Sequence, residues 1–238
     1  MTDWTAFDAA LEQYQGVFWW RDDDAIADTE SLHRLMALAD SVDAPLTLAV
    51  IPANLEASLP DAVAERNVTV AVHGWSHTNH APVDEKKAEF RAHRPREVLL
   101  NEAAEGKKRL DEAFGKQSLP LFIPPWNRMV EGLELSDIQY RGVSVFGQRE
   151  ITDTNGLIRF DAHIDPIDWR GARSAIDLQI IINELAGLMA SKSPIGIMTH
   201  HLVHDEAIWE LITVLITRLK QAGATWGSAH DLLAFTGD

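Results

Sequence analysis

Val70-Ala71-Val72-His73-Gly74-Trp75-Ser76-His77-Thr78-Asn79-His80 is the stretch around which the rest of the chain can be read. Its first residues form a short β-branched and apolar run, the composition of a buried strand. The run delivers the backbone to His73, and His77 follows four residues later. Imidazole is the commonest side-chain ligand for divalent metals, and this separation predicts two rings on one face of a helical turn, where both grip one ion. The alternative is a polar loop in which histidines happen to cluster. A third ligand, a base and an acid elsewhere in the chain would decide for the metal. His80 reads as a bystander on the loop beyond.

Outward from this stretch, apolar runs at residues 17–20, 45–51, 67–72, 119–123, 142–146, 157–161 and 195–199 have the character of strands. Between them lie helical periodicities. Trp4, Phe7, Leu11 and Tyr14 mark an opening helix stopped near Gly16, and Leu32, Leu35, Met36 and Ala39 mark the buried side of a second over 28–40. Further helices are expected at 59–65, 96–114 with Gly115 as the stop, 174–190 and 205–222, and a last strand–helix pair near 224–235. Residues 78–95, with Pro82 and Pro95, read as a long irregular loop of the kind that forms a lid or a substrate-binding segment. Strands alternating with helices predict a mainly parallel sheet or barrel, whose working residues sit at the C-terminal ends of the strands. The polar clusters at 22–24, 73–77, 124–127, 165–169 and 200–204 all fall at such ends.

The chain has 238 residues, a length that suits one domain over 1–238. With 21 Lys+Arg against 36 Asp+Glu its formal charge is −15, which argues against a nucleic-acid or anionic-membrane partner. There is no cysteine, so any metal must be held by His, Asp or Glu. The first residues lack the basic and apolar pattern of a secretory signal, and no apolar run is long enough for a membrane span, so a cytoplasmic protein is expected.

Three consecutive aspartates, Asp22-Asp23-Asp24, after an apolar strand are costly to pack unless a cation neutralises them. One of them with two imidazoles would hold a metal and leave positions open for water and substrate; a second would serve as base. An N-capping cluster is the structural alternative. Pro124-Pro125-Trp126-Asn127 offers a stiff backbone and a flat ring suited to a sugar, with Asn127 and Arg128 as polar contacts. Asp165-Pro166-Ile167-Asp168-Trp169 again combines carboxylates with an indole, or forms a turn. The strand ending at Thr199 emits His200, His201 and His204; His200, first off the strand, is best placed as a general acid, and the pair His200/His204 is a competing second metal site. His33, His93, His163 and His230 read as structural or exposed.

Taken together, over residues 17–205, the chain resembles the polysaccharide deacetylases of the NodB-homology family. His73-Gly74-Trp75-Ser76-His77 is similar to the family's metal-histidine motif, with Gly74 where a hydroxyl residue is usual. Arg21-Asp22-Asp23-Asp24-Ala25 is similar to its Thr-Phe-Asp-Asp-Gly motif. That alignment makes Asp23 the base and Asp24 the metal ligand; a one-residue shift makes them Asp22 and Asp23. Ile123-Pro124-Pro125-Trp126 matches the Arg-Pro-Pro-aromatic motif without its arginine, for which Arg21 or Arg128 must stand in. Asp168-Trp169 matches the Asp-Trp motif, and Met198-Thr199-His200 resembles the closing Leu-x-His motif, with His201 where an aspartate is usual. The resemblance implies a distorted (β/α)7 barrel with a divalent metal, most often Zn2+, on Asp24, His73 and His77. It implies Asp23 as base, His200 as acid, and Pro125, Trp126, Asn127, Asp168 and Trp169 at the substrate. The implied reaction removes an acetyl group from an N- or O-acetylated sugar. A small non-polymeric amide as substrate, or a sugar-binding descendant without activity, are the other readings.

Overall fold

The computed structural model describes residues 2–154 and 156–234. Its strands are β1 (Phe18–Ala25), β2 (Leu46–Val50), β3 (Val68–His73), β4 (Ser118–Ile123), β5 (Gly142–Val143), β6 (Thr152–Thr154), β7 (Leu157–Arg159), β8 (Ala162–Ile164) and β9 (Ile195–Thr199). Among the described residues these nine form one sheet in the order β6-β7-β5-β4-β3-β2-β1-β9-β8, parallel except for β6 against β7. Backbone hydrogen bonds close it into a barrel. Ile158 N donates to Arg141 O (2.8 Å), Phe160 N to Val143 O (3.3 Å) and Ala162 N to Val145 O (3.0 Å), and Gly147 N returns to Ala162 O (2.9 Å). β7 and β8 thus act as one kinked strand between residues 141–147 and β9. Seven strand positions result, which is the expected distorted (β/α)7 barrel.

Side-chain alternation along β1 divides the core in two. Phe18 and Trp20 face outward into the large apolar layer under the helices, while Trp19 joins Ala49, Ala71, Leu121, Ile123 and Phe160 inside the barrel. The interior face of β1 therefore reads Trp19, Arg21, Asp23, rising to the rim. β1 does not stop at Trp20 as expected: the aspartates are strand residues. Strand geometry is tolerable there because the carboxylates of Asp22 and Asp23 are compensated. Asp22, on the outer face, accepts from Thr199 Oγ1 (2.6 Å) and His201 N (2.9 Å) and pairs with the His201 imidazole, while Asp23 pairs with Arg21. At Asp24 the strand carries a β-bulge: the pairing with β2 slips between Asp23 and Ala25, and Asp24 has φ 75°. The extra residue turns Asp24 back toward the interior, where simple alternation would have sent it outward beside Asp22.

The helices are α1 (Thr5–Gln13), α2 (Glu30–Ser41), α3 (Ser58–Val63), α4 (Arg96–Phe114), α5 (Leu178–Leu188), α6 (Glu206–Gln221) and α7 (Ala229–Leu233). Side-chain caps set the starts of α2, α5 and α6: Thr29 accepts from Leu32 N, Asp177 from Gln179 N and Asp205 from Ile208 N. The Asp177 cap makes α5 shorter than the span expected from periodicity. α6 buries Ile208, Leu211, Ile212, Leu215, Ile216 and Leu219, each contributing about 1.5–3 kcal/mol of apolar transfer. α7 closes the barrel floor, with Ala229, Leu232 and Leu233 packed in the interior cluster with Trp19. The strand expected before it is reduced to one bridge between Trp226 and Phe18, and Phe235 of that expectation lies outside the described residues. No described helix is long and apolar enough to cross a membrane.

Candidate metal centre and its cavity

β3 carries His73 to the rim, where it is buried, and its Nδ1 lies 3.0 Å from the carbonyl oxygen of Ile123 on β4. A carbonyl only accepts, so Nδ1 bears the proton and the Nε2 lone pair is directed into the site. Nε2 of His73 lies 3.1 Å, and Nε2 of His77 3.3 Å, from the same oxygen of Asp24. Among the described residues only Asp24, His73 and His77 bring three such ligand atoms within 4.8 Å of one another. The Asp24 oxygen is buried with no hydrogen-bond partner, so one carboxylate and two imidazoles converge as a divalent cation requires. Burial acts to raise the Asp24 pKa, but the two imidazoles outweigh it and hold the carboxyl well below its usual range. Burial, and then the neighbouring His73, lowers the pKa of His77 and favours its neutral, ligating form.

The histidines do not meet on a helical turn, as their spacing suggests. Residues 74–78 form an irregular loop with left-handed backbone at Gly74 (φ 61°) and His77 (φ 56°). The loop wraps the carboxylate of Glu89, which is 1% exposed and accepts from Ser76 N (2.8 Å), Trp75 N (3.1 Å), His77 N (3.3 Å) and Ser76 Oγ (2.9 Å). A Cβ at position 74 would lie 2.3 Å from Glu89 Oε2 and 2.5 Å from Pro125 Cγ, which accounts for glycine there. Glu89 carries no signal of its own in the charged 78–95 loop; only its buried apolar neighbours Ala88 and Phe90 mark it. Glu89→Gln should place an amide NH2 against backbone N–H donors, release His77, and weaken metal affinity about 10–100-fold. A metal titration followed by calorimetry checks this; wild-type affinity would contradict it.

Asp23 sits beside this cluster, gripped by Arg21, which is 0% exposed: Nε lies 3.2 Å from Asp23 Oδ1 and Nη2 3.3 Å from Oδ2. Arg21 also donates to Ser144 Oγ (2.9 Å) and Ser144 O (3.2 Å), and to Asn127 Oδ1. Of the two arginines expected to stand in for the one missing at Ile123, Arg21 is the one that contacts Asp23. Arg128, the other candidate, turns away and donates to Lys87 O (2.7 Å). The geometry separates the two aspartate registers, since Asp24 faces the histidines and Asp22 faces away from them. Asn127 is engaged by Arg21 through its carbonyl oxygen.

His200 follows β9, its ring 5.0 Å from that of Trp169 and its Nδ1 buried without a partner. Asp165 lies near it, accepting from Trp169 Nε1 (2.7 Å) and Ile167 N (3.0 Å); burial raises its pKa and His200 opposes the shift. Asp168, the carboxylate singled out by motif, instead accepts from Gly171 N (2.9 Å) within its own turn. The second metal pair does not form: His204 Nε2 accepts the His200 backbone N–H (3.3 Å). His163 is structural, accepting from Gly196 N (2.9 Å) and donating to Gln148 O (2.9 Å).

These groups open into one cavity of about 870 Å³, lined by Asp23, Asp24, His73, His77, Trp126 and His200 among others. Asn127, Trp169 and Asp165 also reach it, whereas Pro125 and Asp168 do not. Trp126 and Asn127 both have φ 55°, a conformation that costs non-glycine residues about 1–3 kcal/mol and collects at functional sites. It holds the Trp126 ring 4.3 Å from that of His77.

No protein-family model and no curated protein matches the sequence. Solved structures do match the fold. Peptidoglycan deacetylase PdaC from Bacillus subtilis aligns with TM-score 0.62 at 14% identity over 92% of this chain and 91% of that one. A family 4 acetyl xylan esterase from Clostridium thermocellum, in complex with a cobalt ion, aligns with TM-score 0.59 at 14% identity over 92% and 90%. A CE4 family pseudoenzyme from Bacillus anthracis aligns with TM-score 0.64 at 15% identity over 92% of this chain and 66% of that one. The chain has the polysaccharide deacetylase fold.

Proposed function

We propose that the protein is a metal-dependent deacetylase acting on an N- or O-acetylated carbohydrate or similar small substrate. Asp24, His73 and His77 hold the divalent ion, and this borderline N/O donor set suits Zn2+. The bound ion supplies a Lewis acid and lowers the pKa of water toward neutrality. Asp23, beside the ligands, takes the proton of the attacking water, and Arg21 keeps its carboxylate oriented toward the cavity. His200, at the opposite end of the acid–base pair, gives a proton to the departing amine or alcohol. Trp126 and Trp169 offer flat faces to a sugar ring. The carrying observation is the convergence of a three-ligand cluster, an arginine-held carboxylate and a distal histidine on one cavity.

The purified protein should bind one divalent ion per chain and release acetate, losing activity on chelation and regaining it when metal is restored. Full activity without metal would overturn the proposal. Turnover of small amides with inert acetylated sugars would move the substrate to the former class. Sugar binding with no turnover under any metal would make the chain a non-catalytic relative, as one of its structural neighbours is described.

A further inference from the structure

The cavity mouth has a charge that neither the net charge of the chain nor the acetyl chemistry requires. The chain is strongly acidic, at −15, and its cavity floor carries Asp23, Asp24 and Asp165. Yet Lys87, Arg128, Arg170 and Arg173 all line the same cavity. They come from three separate segments: Lys87 from the long 78–95 loop, Arg128 from the loop after β4, and Arg170 and Arg173 from the loop after β8. Among the described residues none of the four has a carboxylate within ion-pair distance, although acidic residues outnumber basic ones. Burial first, and then the nearby Arg91, push the Arg128 guanidinium below its usual pKa. Cations gathered at one rim without carboxylate partners repel one another and gain from an anion placed among them.

We propose that the substrate carries an anionic group, a carboxylate or a phosphate, next to its acetylated centre, and that Lys87, Arg128, Arg170 and Arg173 receive it. The proposal rests on the deacetylase reading above for the chemistry at the floor, and on the rim alone for the anion. Aromatic walls at Trp126 and Trp169 and cations beyond them suit a charged acetylated sugar better than a neutral polymer.

The test uses the metal-loaded protein and three probes: N-acetylglucosamine, N-acetylglucosamine 6-phosphate and N-acetylmuramic acid. Binding by calorimetry and acetate release are measured at low and high ionic strength. At least one anionic probe should be favoured over the neutral sugar by about tenfold or more, with the advantage shrinking as salt rises. The phosphate and carboxylate arms identify which anion is meant. Arg170→Gln/Arg173→Gln and Lys87→Gln/Arg128→Gln should each reduce the preference, while Lys116→Gln, at the far end of the barrel, should retain it. Equal handling of all three probes, or a preference surviving in both double variants, would overturn the proposal. Acetate release from none of them would count against N-acetylated monosaccharides as substrates, and the binding ratio would still decide the anion.

Discussion

Asp24→Asn is expected to strip the protein of its metal and to lower acetate release on the order of 10³-fold or more, equivalent to about 4 kcal/mol at the transition state. Asparagine is the informative replacement because Asp24 sits at φ 75°, a conformation asparagine tolerates far better than alanine. The bulge and strand pairing should therefore persist while the charged ligand oxygen is lost. The variant's thermal melt should match that of chelated wild type, which separates loss of metal from loss of fold. Stoichiometric metal with normal turnover would remove Asp24 from the ligand set.

Arg21→Ala should be the most destabilising single change near the site. Its guanidinium is wholly buried and holds Asp23 and Ser144 together, so its removal leaves a void and a carboxylate without its counter-charge. Breaking a buried pair in this way costs about 3–5 kcal/mol. Denaturant unfolding of the chelated protein measures it. Adding Asp23→Ala to Arg21→Ala should recover part of the stability by removing the stranded charge, with a coupling of about 0.5–3 kcal/mol, and should leave activity abolished. Additive losses in the double variant would show that the two residues do not act as a pair.

The barrel and much of its site are legible because they depend on local pattern. Helix α4 was bounded by its periodicity and Gly115, and β9 by its apolar run. His73, His77 and His200 stand out because imidazoles leaving strand ends are chemically conspicuous. What escaped depends on contacts made across the fold. β1 looked finished at Trp20, since nothing local tells that Arg21, Thr199 and His201 will neutralise aspartates inside a strand. Glu89, Lys87, Arg170 and Arg173 carry no local signal, because their meaning lies in the side chains and backbone amides they meet, and Asp165 is marked only as one of two carboxylates beside an indole. Asp168 misled for the converse reason: the motif points to it, but the turn that follows takes up its carboxylate.

The bulge in β1 has a consequence for what the chain can lose. Asp22, Asp23 and Asp24 are identical in the sequence, so deleting any one of them produces the same shortened protein. Asp22 is pinned to Leu48 and Thr199 by its neighbours, and Asp23 is pinned to Ala49 and by Arg21. The shortened strand would keep those two addresses and erase the third. A single missing residue, wherever it is cut from the run, should always cost the protein the carboxylate that faces His73 and His77.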